Sequence, residues 1–122
     1  MGRRQRRRER SGAPAPASSS GRSEYVDAEG NVLLVRDELS FGTRTTLRRL
    51  KHPPGSTQED RWQRTGEALF ERLVVSWEIA GLPLTNQKEL LGRYRMADSP
   101  TRSWVRSTLL AHVRERAPDL DL

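Results

Sequence analysis

Hydrophobic side chains enter this chain late and then in distinct patterns. Residues 1–23 contain no Val, Ile, Leu or aromatic residue. The first apolar positions are Tyr25-Val26 and then Val32-Leu33-Leu34-Val35, on either side of Asp27-Ala28-Glu29-Gly30-Asn31. Two β-prone runs around an acidic, glycine-containing turn predict a β-hairpin over residues 24–36. An isolated hairpin is marginal in water, so this one has to pack on helices. Ser40 is a candidate N-cap for a short helix over 41–51 with Phe41, Leu47 and Leu50 inward, ended by Pro53-Pro54-Gly55. Thr57 opens the next helix, with Asp60 as its capping-box partner.

Residues 58–79 carry the clearest periodicity. Trp62, Leu69, Phe70, Leu73, Val74 and Trp77 fall on one stripe of a helix of 3.6 residues per turn. Gly66 lies in that stripe, where the missing side chain leaves room for a neighbouring element. Gly81-Leu82-Pro83-Leu84 breaks the pattern. Thr85 then caps a helix over 85–94, and Ser99-Pro100 starts a last helix over 100–116 with Trp104, Val105, Leu109 and Val113 inward. These elements predict an α+β, mainly α fold: one domain over residues 24–118, with the N-terminal hairpin packed on a bundle of about four helices. Residues 119–122 read as a tail.

Charge separates the N-terminal arm from the body. Residues 1–22 hold seven arginines and one glutamate, which is the entire net charge of +6; residues 23–122 hold 15 basic and 15 acidic side chains. An arm without apolar side chains cannot offset the entropy of ordering it, so residues 1–23 are expected to be disordered. Within them SGAPAPASSSG reads as a flexible linker. Arg3, Arg4, Arg6, Arg7, Arg8 and Arg10 are candidates for nonspecific contact with nucleic-acid phosphates, which would give salt-sensitive affinity without sequence choice.

Candidate chemistry is sparse. The chain has no cysteine, so disulfides, thiolate nucleophiles and Cys-based zinc sites are excluded, and a cytoplasmic setting is expected. No apolar run reaches the roughly 18 residues of a membrane span. His52 and His112 are sixty residues apart and neither lies in a ligand motif, so both read as structural. The glycines form no phosphate-cradling pattern. These absences predict a non-enzyme with no cofactor and no metal. Trp62, Phe70, Trp77 and Trp104 fall on apolar stripes and read as core or as partner-binding residues, with Trp62 the best candidate for an exposed anchor.

Two stretches resemble one family. Gly30 to Arg44 (GNVLLVRDELSFGTR) resembles the opening of tail assembly chaperones of tailed phages and prophages: a hairpin strand ending in Arg-Asp, then a Leu-Ser-aromatic-Gly-x-Arg entry to a helix. Leu73-Val74-Val75-Ser76-Trp77, followed by Gly81-Leu82-Pro83-Leu84-Thr85, resembles that family's apolar helix ending in Ser/Glu-Trp and its Gly-x-Pro-Leu-Thr passage. The resemblance spans about residues 24–115 and implies a non-catalytic partner of the tape measure protein and tail tube protein in a bacterial host. Binding of partner helices in an apolar groove would be the physical mode.

A second reading comes from residues 84–113, which also have the pattern of a helix-turn-helix. Arg102 and Arg106 lie near the start of the second helix, and residues 85–116 carry seven basic and three acidic side chains. In that case the chain would be a DNA-binding regulator whose arm lies along phosphates.

Overall fold

The computed structural model describes residues 21–120. The chain runs β1 (Arg22–Val26), β2 (Val32–Arg36), α1 (Phe41–Arg48), α2 (Gln58–Leu73), β3 (Val74–Ile79), β4 (Leu82–Leu84), α3 (Gln87–Met96) and α4 (Ser99–Arg116). It is an α+β fold with one four-stranded antiparallel sheet in the order β1-β2-β3-β4. Among the described residues no helix is long and apolar enough to cross a membrane.

The first hairpin follows from its turn chemistry. The Asp27 carboxylate accepts hydrogen bonds from the backbone N–H of Glu29 and Asn31, and Gly30 takes φ +85°. An aspartate that satisfies its own turn, with glycine where φ is positive, is the arrangement the acidic loop predicts. β1 begins at Arg22, two residues earlier than expected, because Arg22 and Ser23 pair with Arg36 and Val35.

One expectation is corrected in the middle of the chain. The helix expected over 58–79 stops at Leu73, and Val74 leaves it with extended backbone (ψ 127°) to begin β3. Two β-branched residues, Val74 and Val75, sit where helix propensity falls and strand propensity rises. The apolar β2 also needs a pairing partner, and β3 supplies it, with Leu33 opposite Trp77 and a register shift between Leu34 and Val35. The single predicted hairpin is therefore joined by a second, β3–β4, closed by the two-residue turn Ala80-Gly81. Both turn residues have positive φ, 53° and 81°, which is the geometry of a type I′ hairpin turn. Trp77 accordingly reaches the core from a strand, not from a helix.

Smaller differences concern helix ends. Asn86, not Thr85, caps α3 by accepting from the N–H of Lys88 and Glu89. Asp98, not Ser99, caps α4, accepting from Thr101 N–H at 2.9 Å with Pro100 in the first turn. In each case the stronger acceptor lies one residue away from the expected one. α1 ends at Arg48, and Phe41 points to solvent with 81% exposure, although an inward position was expected. Thr57 and Asp60 form the expected capping box of α2.

The core joins one face of the sheet to the helices. Leu33, Val35, Val74 and Trp77 meet Leu69, Phe70 and Leu73 of α2, Leu90 and Tyr94 of α3, and Val105, Leu109 and Val113 of α4. Phe70 stacks on Tyr94 at 4.9 Å and meets Trp77 edge-on at 5.7 Å. Gly66 is buried, and a Cβ there would lie 3.3 Å from Tyr94 Cζ with the hydroxyl oxygen closer still. The neighbour that its missing side chain admits is thus the Tyr94 ring. Beyond α4, Leu120 is buried, and Asp119 pairs with Arg48 at 2.9 Å and Arg44 at 3.4 Å. These two residues of the expected tail are packed against the body.

Candidate protein-binding surfaces

The charged and polar groups that could carry chemistry are mostly engaged in holding the fold. His112 on α4 is buried; its Nε2 lies 2.7 Å from the Arg36 carbonyl and its Nδ1 lies 2.6 Å from Tyr25 Oη. A carbonyl only accepts, so Nε2 carries the proton and Nδ1 accepts from the Tyr25 hydroxyl. Arg116 continues the network, donating to Asp37 at 3.1 Å and to Ser23 Oγ at 3.2 Å, while Ser23 donates to Asp37. Burial lowers the His112 pKa below the ordinary histidine value, and nearby Arg116 acts in the same direction. This cluster ties β1 and the end of β2 to α4. His52 lies in the loop after α1, with its Nδ1 buried and without a partner among the described residues.

Phe70 and Trp77 are core, and Trp104 is half-buried against it. The indole N–H of Trp77 is buried without an acceptor among the described residues. Trp62 is 45% exposed and lies under the Arg106 guanidinium, whose centre is 4.7 Å from the ring centroid, a cation–π contact between α2 and α4. Arg102 donates to the carbonyl of Ala97, the residue that ends α3. Arg3, Arg4, Arg6, Arg7, Arg8 and Arg10 lie outside the described residues.

α3 and α4 are joined through Ala97-Asp98 alone, a shorter connection than the expected turn from Tyr94 to Ser99. Arg102 and Arg106 are spent on the end of α3 and on Trp62. The exposed residues of α4 are Ser99, Pro100, Ser103, Ser107, Ala111, Arg114 and Glu115, which hold one cation and one anion. A recognition helix reads base edges with several long polar side chains free at its surface.

Three surfaces remain open. Phe41 and Met96 project from helix ends at 81% and 85% exposure. An open cleft of about 330 Å³ beside the start of α1 is lined by Arg36, Glu38, Ser40, Thr43, Glu71 and Arg72, in which the charges cancel. The third is the sheet face opposite the core. Strand alternation turns Tyr25, Leu33, Val35 and Trp77 inward and Val26, Val32 and Leu34 outward. None of these outward side chains is buried, even Leu34 on the inner strand β2, so among the described residues nothing covers this face. Sequence reasoning missed it, because a four-residue apolar run in β2 does not say which of its members faces the helices. No protein-family model matches the chain, and no curated protein or solved structure does.

Proposed function

We propose that this chain is a non-catalytic assembly protein of the tail assembly chaperone type, which works in the host cytoplasm, holds helical segments of a tape measure protein and assists tail tube assembly. The observation that carries the reading is the set of large apolar side chains left outward on a small fold: Phe41, Met96 and Leu82 are each more than 70% exposed, and Val26 is 57% exposed. Large apolar side chains facing water serve as anchors where one partner covers them together. The two stretches that resemble the family also support it. They occupy adjacent strands, β2 and β3, and meet in the Leu33–Trp77 pair, so they act as one structural unit. The buried placement of His112 and the compensated charges favour binding over catalysis.

The alternative is a DNA-binding regulator, for which two consecutive helices, α3 and α4, are present where the sequence pattern places them. The engagement of Arg102 and Arg106 within the fold weighs against it. Co-expression with the tape measure protein of the same genome separates the two. The assembly reading expects the tape measure protein to stay soluble and to co-purify with this chain. A tape measure protein that aggregates equally with and without the chain would refute that reading.

A further inference from the structure

The two edges of the sheet are not equivalent. In the β3–β4 hairpin, closed by its two-residue turn, Ile79 and Leu82 exchange main-chain hydrogen bonds, and so do Trp77 and Leu84. Pro83, between them, is therefore the β4 position whose nitrogen faces outward, and proline has no N–H to offer. With three residues and no outward donor, β4 is closed to a further strand. β1 is built the other way. Asp37 N–H donates to the Gly21 carbonyl and Asp27 N–H to the Asn31 carbonyl, so Ser23 and Tyr25 turn their main-chain groups to β2. Arg22, Glu24 and Val26 turn theirs outward, and these groups have no partner among the described residues. No proline or register shift interrupts β1.

The side chains along this edge are self-complementary. Arg22 and Glu24 flank Ser23, and both are exposed on the open face. A second β1 laid antiparallel about a two-fold axis at Ser23 brings Arg22 of each copy opposite Glu24 of the other. The outward main-chain groups of those same residues then meet, so each Arg22–Glu24 pair exchanges both of its hydrogen bonds. Other two-fold registers lack this match. An axis at Glu24 or at Arg22 sets that residue against its own copy, and an axis at Tyr25 or Val26 carries Arg22 past the strand to the other copy's turn. Within one copy Arg22 lies opposite Arg36, a repulsive arrangement, with Glu24 two positions along the strand. In the pair, a second carboxylate directly opposite faces each Arg22. On the helix side Ser23 meets Ser23, and each hydroxyl is already held by its own Asp37 and Arg116. Arg116 is in turn paired with Asp37 and Glu115, so no unpaired charge meets its copy there.

We propose that β1 is the dimerisation edge of this chain: two copies join β1 to β1, antiparallel about Ser23, through crossed Arg22–Glu24 pairs. Because β4 is closed, addition stops at two copies and gives one continuous sheet with β4 at each end, not a fibre. This stands apart from the assembly reading, which concerns a different partner.

The test uses the full chain and three variants, Arg22→Glu, Glu24→Arg and Glu24→Pro, once circular dichroism has shown that each is folded. Proline suits an edge position whose N–H is unused within one copy, so Glu24→Pro removes the bond between copies and leaves the β1–β2 ladder whole. Sedimentation equilibrium over a dilution series reads the dimer dissociation constant. Wild type is expected to dimerise. Each charge reversal alone sets like charges opposite one another and should raise the constant about tenfold, and Glu24→Pro should raise it as well. An equimolar mixture of Arg22→Glu and Glu24→Arg restores both crossed pairs and should form a heterodimer with close to the wild-type constant. Wild type that stays monomeric over the whole series would overturn the proposal. So would a dimer that all three variants leave unchanged, or single reversals that weaken it with no recovery in the mixture, since the contact would then lie elsewhere.

Discussion

Gly66→Ala offers the sharpest test of how the helices are packed. On helix propensity alone the change should stabilise the protein by about 1 kcal/mol, because glycine is the poorer residue in a helix interior. Against that stands the Tyr94 ring. A Cβ at position 66 would meet Cζ at 3.3 Å and the hydroxyl oxygen closer than that, while Arg106 Cβ lies at 3.8 Å on another side. Tyr94 is buried and stacked on Phe70, so it cannot withdraw without opening a contact elsewhere. Overpacking of this kind costs about 1–3 kcal/mol, and the tight approach places it toward the upper end. The net expectation is a loss of about 1–2 kcal/mol, or a Tm lowered by roughly 4–16 °C for a domain of this size. Urea and thermal unfolding of Gly66→Ala, Tyr94→Phe and the double variant would measure it. Removing the phenol oxygen should recover most of the loss, so the two changes should be strongly non-additive. Gly66→Ala that raises Tm in the wild-type background, or strict additivity with Tyr94→Phe, would refute the reasoning.

Other consequences are as direct. Leu33→Ala removes a fully buried side chain opposite Trp77 and should cost about 2–5 kcal/mol in chemical denaturation. Ala80→Asn places a residue suited to positive φ in the type I′ turn and should raise stability by about 0.5–1 kcal/mol; a lower Tm would contradict the turn assignment. Because His112 is held below the ordinary value of 6.5, the unfolded chain takes up a proton before the folded one does. Stability is then fully present above pH 6.5 and falls as the pH drops below it, and His112→Gln should flatten that slope in urea midpoints measured from pH 7.5 to 5. Trp62→Ala removes a half-exposed ring and should change stability by about 1 kcal/mol or less, the range of an exposed cation–π contact, as read from the urea midpoint.

Local chemistry explains which parts of the fold were legible in the sequence. The first hairpin could be read because Asp27 and Gly30 announce its turn, and α2 and α4 could be read because Thr57, Asp60 and Pro100 announce their starts. The second hairpin could not. Phe70, Leu73, Val74 and Trp77 satisfy helical spacing, and over so short an apolar run that spacing does not separate a helix from a helix followed by a strand. Its turn also lacks the usual signal, since Ala80 stands where Asn or Asp would be expected. What decides the matter is nonlocal: β2 lacks a second neighbour unless β3 supplies one. The same limit applies to the surfaces. Trp62 could be singled out from its charged surroundings, whereas the contact with Arg106 comes from a residue 44 positions away. The outward row of Val26, Val32 and Leu34 and the opposed arginines emerge only from strand register.

The proposed role requires that this chain bind a helical protein partner and not read DNA. It is tested most directly by titrating the full chain against tape measure fragments and against duplex DNA in one buffer at 50 and 200 mM salt, about the range over which phosphate-driven affinity falls by orders of magnitude. Fragment binding should persist at the higher salt, and DNA binding should be weak and lost there. Sequence-selective DNA binding that survives 200 mM salt, with no affinity for the fragments, would contradict it.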